Sequence, residues 1–181
     1  MHEGTGLPER GLVTIPERAP TSVEPVPLAG GAVETADSVP MVSIVRSLAT
    51  ELPGDQTAVF GARIWIRIAV TALGWNGNVL RATEAVARLV DNGVRHGMPA
   101  EVPQKERLVS LEVALTDVGG LVIDVSDLEP AFPDFEAARR GERGRGLWQV
   151  SHLGAQVTQF SPRRGTGKTV RAVLAPGPVD L

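Results

Sequence analysis

Two strand-like runs, Leu108–Leu115 and Leu121–Ser126, are separated only by the turn-forming stretch Asp117-Val118-Gly119-Gly120. The first run alternates apolar and polar residues cleanly, the mark of a strand with one buried face. A connection this short makes the two an antiparallel hairpin. A chain with such a hairpin does not alternate strand and helix strictly, so a doubly wound parallel sheet is excluded. What flanks the hairpin completes the pattern. A strand is expected from Val42 to Thr50, closed by Leu52-Pro53-Gly54-Asp55. Asp55 is placed to cap a helix reaching about Leu73, with Val59, Ala62, Ile66, Ala69, Val70 and Leu73 on one face. Ile64, Trp65 and Ile68 widen its apolar surface, either by packing in the core on a second neighbour or by serving a homodimer contact. Gly74 and Asn76-Gly77-Asn78 end this helix and begin the next, expected from Asn78 to Arg95. Its stripe is Val79, Ala82, Val86, Leu89, Val90 and Val94, and Gly97 stands where a left-handed cap is expected. Beyond the hairpin come a turn-rich, charged stretch over 128–143, a short helix from Gly144 to Leu153, and strands at Gln156–Phe160 and Thr169–Leu174. This order predicts an α/β (α+β) two-layer sandwich, its mixed, largely antiparallel sheet covered on one face by helices.

Composition narrows the classes of function. A formal net charge of −3 over 181 residues leaves no electrostatic footprint for nucleic acid or an anionic membrane. The absence of cysteine removes disulfides, thiolate metal sites and cysteine nucleophiles. No apolar run approaches the roughly 18 residues of a membrane span. The start of the chain carries Glu3, Glu9 and Glu17 and no apolar signal core. A cytoplasmic protein is expected. Residues 1–38, broken by Pro8, Pro16, Pro20, Pro25 and Pro27, read as a disordered Pro/Gly-rich tail. Residues 39–176 read as one domain, and 177–181 as a short C-terminal tail.

Three segments carry residues with chemical potential. Glu84, Arg88 and Asn92 are spaced four apart and share one face of the second helix, followed by Arg95 and His96. An Asn carbonyl on such a face can join the shell of a Mg²⁺ that takes its remaining ligands from water and phosphates; the bland alternative is a solvated helix face. Val122-Ile123-Asp124-Val125-Ser126-Asp127 is an apolar strand ending in a carboxylate. Asp127 can accept a hydrogen bond from an exocyclic amine such as adenine's, or simply start a turn. In Gly141-Glu142-Arg143-Gly144-Arg145-Gly146-Leu147, glycines before an amphipathic helix let backbone N–H groups approach a phosphate, or make only a flexible loop. Gly165-Thr166-Gly167-Lys168-Thr169 imitates the end of a phosphate-binding P-loop, but Pro162 stands where that motif needs its first glycine. No long helix follows, so the likeness is discarded.

Taken in order, the segments resemble the GHKL (histidine-kinase-like) ATPase superfamily, and most closely its anti-sigma-factor and serine-protein-kinase-like regulatory branch. Glu84-Ala-Val-Ala-Arg88-Leu-Val-Asp-Asn92-Gly-Val-Arg-His96-Gly97 is similar to the N box of that branch. Asp124-Val-Ser-Asp127-Leu-Glu-Pro130 resembles its first glycine box, Gly144-Arg145-Gly146-Leu147 its second, and Gly167-Lys168-Thr169-Val170 its closing strand. The likeness extends over roughly residues 40–175. It implies ATP and Mg²⁺ as ligands, with Asn92 coordinating the metal through the nucleotide and Asp127 reading the adenine amine. It also implies a lid over 128–143, phosphate held by Gly144, Arg145, Gly146 and Leu147, and Thr169 in the adenine pocket.

One departure changes the expected function. The branch carries a glutamate four residues before the Asn as its general base, and this chain has Arg88 there. A guanidinium stays cationic and cannot accept a proton. Glu84 is the substitute candidate, one further turn away and about 6 Å along the axis. The resemblance then implies an ATP-binding regulator with impaired catalysis that binds a sigma factor or an anti-anti-sigma protein. The alternatives are an active serine/threonine kinase using Glu84, and a degenerate scaffold that no longer binds nucleotide.

Overall fold

The computed structural model describes residues 43–161 and 166–177. The expected tail over 1–38 lies outside the described residues, as do Val42, Pro162, Gly165 and all of the expected 177–181 tail but Gly177. The elements are β1 (Ile44–Pro53), α1 (Thr57–Leu73), α2 (Val79–His96), β2 (Leu108–Thr116), β3 (Leu121–Asp127), α3 (Phe135–Arg139), α4 (Gly146–His152), β4 (Gln156–Phe160) and β5 (Lys168–Leu174), with a 3₁₀ turn at Gln104–Glu106. The five strands form one sheet in the order β1-β2-β3-β5-β4. Every pairing in it is antiparallel, so the largely antiparallel sheet expected from the hairpin contains no parallel pair.

The sheet alternates as its register demands. Val109, Leu111 and Val113 of β2, Leu121, Ile123 and Val125 of β3, and Val170, Ala172 and Leu174 of β5 share one face and are buried. Onto them pack Ile66 and Val70 of α1 and Val86, Leu89 and Val90 of α2, all without exposed surface to speak of. Burying one such side chain is worth about 1.5–3 kcal/mol, so this layer supplies most of the folding drive. The result is a two-layer α+β sandwich.

Local signals explain the helix ends. Asn78 caps α2, its side chain accepting from the Arg81 N–H at 3.1 Å. Gly74 closes α1 at φ 72°, in the left-handed conformation that glycine adopts without strain. The N-cap of α1 is Gln56, without a side-chain cap bond, and Asp55, expected to cap the helix, stands one residue earlier and accepts from the Thr57 N–H at 2.9 Å. Arg81 donates to the Leu153 carbonyl through Nε at 2.6 Å, fastening the end of α4 to the start of α2.

Four expectations change. Gly97 is not a left-handed cap, since its φ is −109°; glycine stands there because a Cβ would overlap the Asp127 carboxylate. Strand β1 runs on through Leu52 and Pro53, which pair with Val109 and Leu108, because β2 is long enough to template the extra residues. The stretch over 128–143 contains α3, held by burial of Phe135 and Ala138. On α1, Ile64 and Ile68 do not enter the core: they are 49% and 64% exposed, and with Phe60 at 71% they form an outward row at helical spacing. Trp65 packs against the core instead. Among the described residues, no helix is long and apolar enough to cross a membrane.

Candidate functional site

The second half of α2 faces the segment running from Ala131 through α3 to Leu147, and a cleft of about 500 Å³ opens between them. Asn92 lies in its wall with Arg88, Arg95 and His96, and across from them stand Arg143, Gly144, Arg145, Gly146 and Leu147. Ala131, Phe132, Pro133 and Ala138 form the apolar remainder. The structure thus brings Asn92 together with the whole 144–147 segment. Gly144 has φ 82°, and a Cβ on Gly144 or Gly146 would point into open space. The peptide units of that turn are therefore accessible to a ligand in the cleft.

The cleft is cationic although the chain is not. Arg95 pairs with Asp91 at 2.8 Å and Arg143 with Asp134 at 3.5 Å, both half-exposed contacts that solvent weakens. Arg88 pairs with Glu84 at 2.8 Å, while its Nε is buried with no hydrogen-bond partner among the described residues. A buried donor left unpaired costs about 1–3 kcal/mol, so Arg88 holds unused capacity for an acceptor.

Glu84 stands apart from Asn92. It lines a smaller hollow with Arg88, Gln149, His152 and Leu153. Its Oε1 meets Arg88, and its Oε2 accepts from Arg63 of α1 at 2.9 Å. Partial burial disfavours its charge, but the hydrogen bonds and charges of Arg63 and Arg88 outweigh that and hold its carboxyl below the usual range. Both oxygens are engaged by guanidinium groups, an arrangement suited to structure and poorly suited to taking a proton at neutral pH.

Asp127 and Thr169 are not in the cleft wall. Asp127 ends β3 on the helix-facing side, where it pairs in register with Lys168. Lys168 Nζ donates to Asp127 Oδ1 at 2.9 Å, with the side chains 4% and 2% exposed, and to the Glu129 carbonyl at 3.2 Å. Oδ1 also accepts from the Glu129 N–H at 3.1 Å. Burial pushes the Asp127 carboxyl above its usual range, against the pull of Lys168 and of the Glu129 N–H. Strand alternation then turns Thr169 to the opposite face of the sheet, where its Oγ1 lies 2.8 Å from Ser126 Oγ. The side chain that meets Asp127 is therefore Lys168, which the sequence offered only within the closing-strand and discarded P-loop likenesses, while Thr169 faces away. The period-2 register, with Asp127 opposite Lys168, is the signal that would have found it.

Among the described residues, no three His, Cys, Asp or Glu side chains converge in a way that could hold a metal ion directly. Asn92 is the group in the cleft whose carbonyl suits Mg²⁺ bridged to phosphates.

No protein-family model and no curated protein matches this chain. Among solved structures it is similar to the histidine kinase domain of the blue-light-activated histidine kinase from Erythrobacter litoralis EL346, with 16% sequence identity and a TM-score of 0.45 over 81% of this chain. The chain spans about 66% of the length of that neighbour.

Proposed function

We propose that this chain is an ATP-binding regulatory domain of the histidine-kinase-like type that holds Mg-nucleotide beside Asn92 and has impaired phosphoryl transfer. The observation that carries the reading is the composition of one cleft. It gathers four arginines, Asn92 and an open glycine turn together with an apolar stretch of Ala131, Phe132 and Pro133, and Asp91 and Asp134 also stand in its wall. A ligand complementary to that wall is a polyanion attached to a flat apolar group, which describes a nucleotide. In this reading Arg88, Arg95, Arg143 and Arg145 hold phosphate oxygens, and Asn92 lends its carbonyl to Mg²⁺. The metal supplies charge neutralisation to the phosphates when bound. Arg88 in the place of a base, with Glu84 clamped between Arg63 and Arg88, argues for binding over turnover. The nucleotide-bound surface would then engage a sigma factor or an anti-anti-sigma protein.

A titration of a fluorescent ATP analogue with and without Mg²⁺, followed by a phosphate-release assay, tests this. Mg-dependent binding is expected, weakened about tenfold or more by Asn92→Ala, with no release above background. Absence of binding, or indifference to Asn92→Ala, would leave a scaffold that no longer uses nucleotide. Phosphorylation of a serine on an anti-anti-sigma protein at ordinary kinase rates would overturn the regulator in favour of a kinase.

A further inference from the structure

Helix α1 packs one face on the sheet and turns the opposite face, with Phe60, Ile64 and Ile68, outward. Leu80 at the start of α2 is 71% exposed as well. The contact of Arg63 with Glu84 at 2.9 Å sets the antiparallel register of the two helices, and one turn further on it brings Leu80 level with Arg67 and Ile68. We propose that this apolar face pairs with the same face of a second copy of the chain, through an antiparallel crossing of two α1 helices with the two-fold axis at Ile64. The inference is independent of the nucleotide reading, because no α1 residue lines the cleft.

The order of residues along the row points to a second copy as the occupant. Thr57, Phe60, Ile64, Ile68 and Thr71 are all exposed and follow one another at spacings of three, four, four and three residues. The series has the same chemistry in both directions from Ile64: a large apolar side chain one turn away, and a threonine a turn beyond it. An isologous interface demands this property, because residue i meets j wherever j meets i. In the antiparallel crossing Phe60 falls opposite Ile68 of the second copy, and Ile64 falls opposite itself. A row at i, i+4 and i+8 is also the ridge that two helices interdigitate in their commonest packing, at about −50°.

Charge agrees with this pairing. Helix α1 carries Arg63 and Arg67 and no acid. Arg63 is paired with Glu84, and Arg67, one turn on, lies on the same α2-facing side of the helix. A two-fold axis perpendicular to the crossing helices keeps both α2 helices on one side of it. Arg67 of each copy therefore stands on the same side as Glu84 of the other, which supplies the acid that α1 lacks. Buried area sets the strength. One exposed helix row with Leu80 covers less than the roughly 1,200–2,000 Å² of a stable complex, so the dimer forms in a weak, concentration-dependent equilibrium.

Sedimentation of the full chain from about 1 to about 500 μM tests this, with half-conversion to dimer expected on the order of 10–100 μM. Ile64→Asp, which sets two carboxylates against each other at the axis, is expected to weaken the dimer about tenfold or more. The chain has no cysteine, so a single introduced thiol reports the register. Ile64→Cys is expected to form a disulfide-linked dimer on mild oxidation at least about tenfold faster than Thr57→Cys. Two copies of position 57 lie about 21 Å apart along the crossing, far beyond the roughly 7 Å that a disulfide spans. A wild-type chain that stays single at about 500 μM overturns the inference, whether another segment or another protein covers the row. So does a folded Ile64→Asp variant that dimerises as wild type does, or equal cross-linking at the two positions. Should Ile64→Asp fail to fold by circular dichroism, the comparison of the two cysteine variants decides.

Discussion

Replacing Lys168 by Met leaves the Asp127 carboxylate buried with the Glu129 N–H as its remaining donor among the contacts described. Because both side chains are almost wholly removed from water, solvent cannot compensate, and breaking such a pair from one side costs about 3–5 kcal/mol. The structure also sets a ceiling. The orphaned carboxylate can escape its charge by taking a proton, and from an ordinary value of 3.8 that costs about 4 kcal/mol at pH 7. The ceiling falls by about 1.4 kcal/mol for each pH unit toward acid. The sign is fixed by the direction of the shift. Burial raises the folded-state pKa of Asp127, so its contribution is intact below the unfolded value and is lost as pH rises through the folded one. Loss of Lys168 raises the folded value further and widens that window upward. Urea unfolding of wild type and Lys168→Met at pH 7 and pH 5, followed by tryptophan fluorescence, should show a loss of about 3–4 kcal/mol at pH 7 that shrinks by up to about 3 kcal/mol at pH 5. The double variant Asp127→Leu/Lys168→Met, with no charge left to bury, should be within about 1 kcal/mol of wild type. A loss under about 1 kcal/mol at pH 7, or one indifferent to pH, would refute the reasoning.

Two further outcomes follow from neighbouring contacts. Gly97→Ala should cost about 1–3 kcal/mol through overlap with the Asp127 carboxylate, not through backbone strain, as φ is −109°. In an Asp127→Gly background, which removes the Cβ as well as the carboxylate that the new methyl would meet, the same change should be harmless, and thermal melts of the four proteins check this; an equal cost in both backgrounds would refute the overlap. Glu84→Gln should cost under about 1 kcal/mol at pH 7, because Glu84 and its two arginines are one-third to two-fifths exposed and solvent screens them. Glu84 is held below its usual range, so its contribution is present above 4.5 and disappears as pH falls through the folded value. A stability difference between Glu84→Gln and wild type that stays constant from pH 7 to pH 3 would contradict that.

The regular parts of this fold were legible because each is announced by a local pattern. The alternation over Leu108–Leu115, the stripe of Ala82, Val86, Leu89 and Val90, and the cap at Asn78 each rest on residues within a few positions of one another. The short helix at Phe135–Arg139 was not legible, because five residues carry too little periodicity and its stability comes from burying Phe135 and Ala138. In the candidate site, Asn92 and Gly144–Leu147 were recognisable by type and spacing, and they do share a cleft. What remained hidden was orientation on β5. A shift of one residue exchanges the faces of a strand, and the boundary at Lys168 instead of Thr169 decides which side chain meets Asp127.

Arg88 ties these observations together. In place of a proton acceptor it supplies a cation that lines both hollows along α2. Its partner Glu84 is shared with Arg63, so the ion pairs run from the cleft across α2 into α1. A phosphate able to satisfy the buried Nε would compete with Glu84 for the same guanidinium, and charge-assisted bonds to phosphate are stronger than a half-exposed pair with a carboxylate. Drawing Arg88 toward the cleft would leave Glu84 to Arg63 alone, one turn from Phe60 and next to Ile64 on the exposed row of α1. Arg88 thus joins the cleft, through Glu84 and Arg63, to the foot of the exposed row of Phe60, Ile64 and Ile68 on α1.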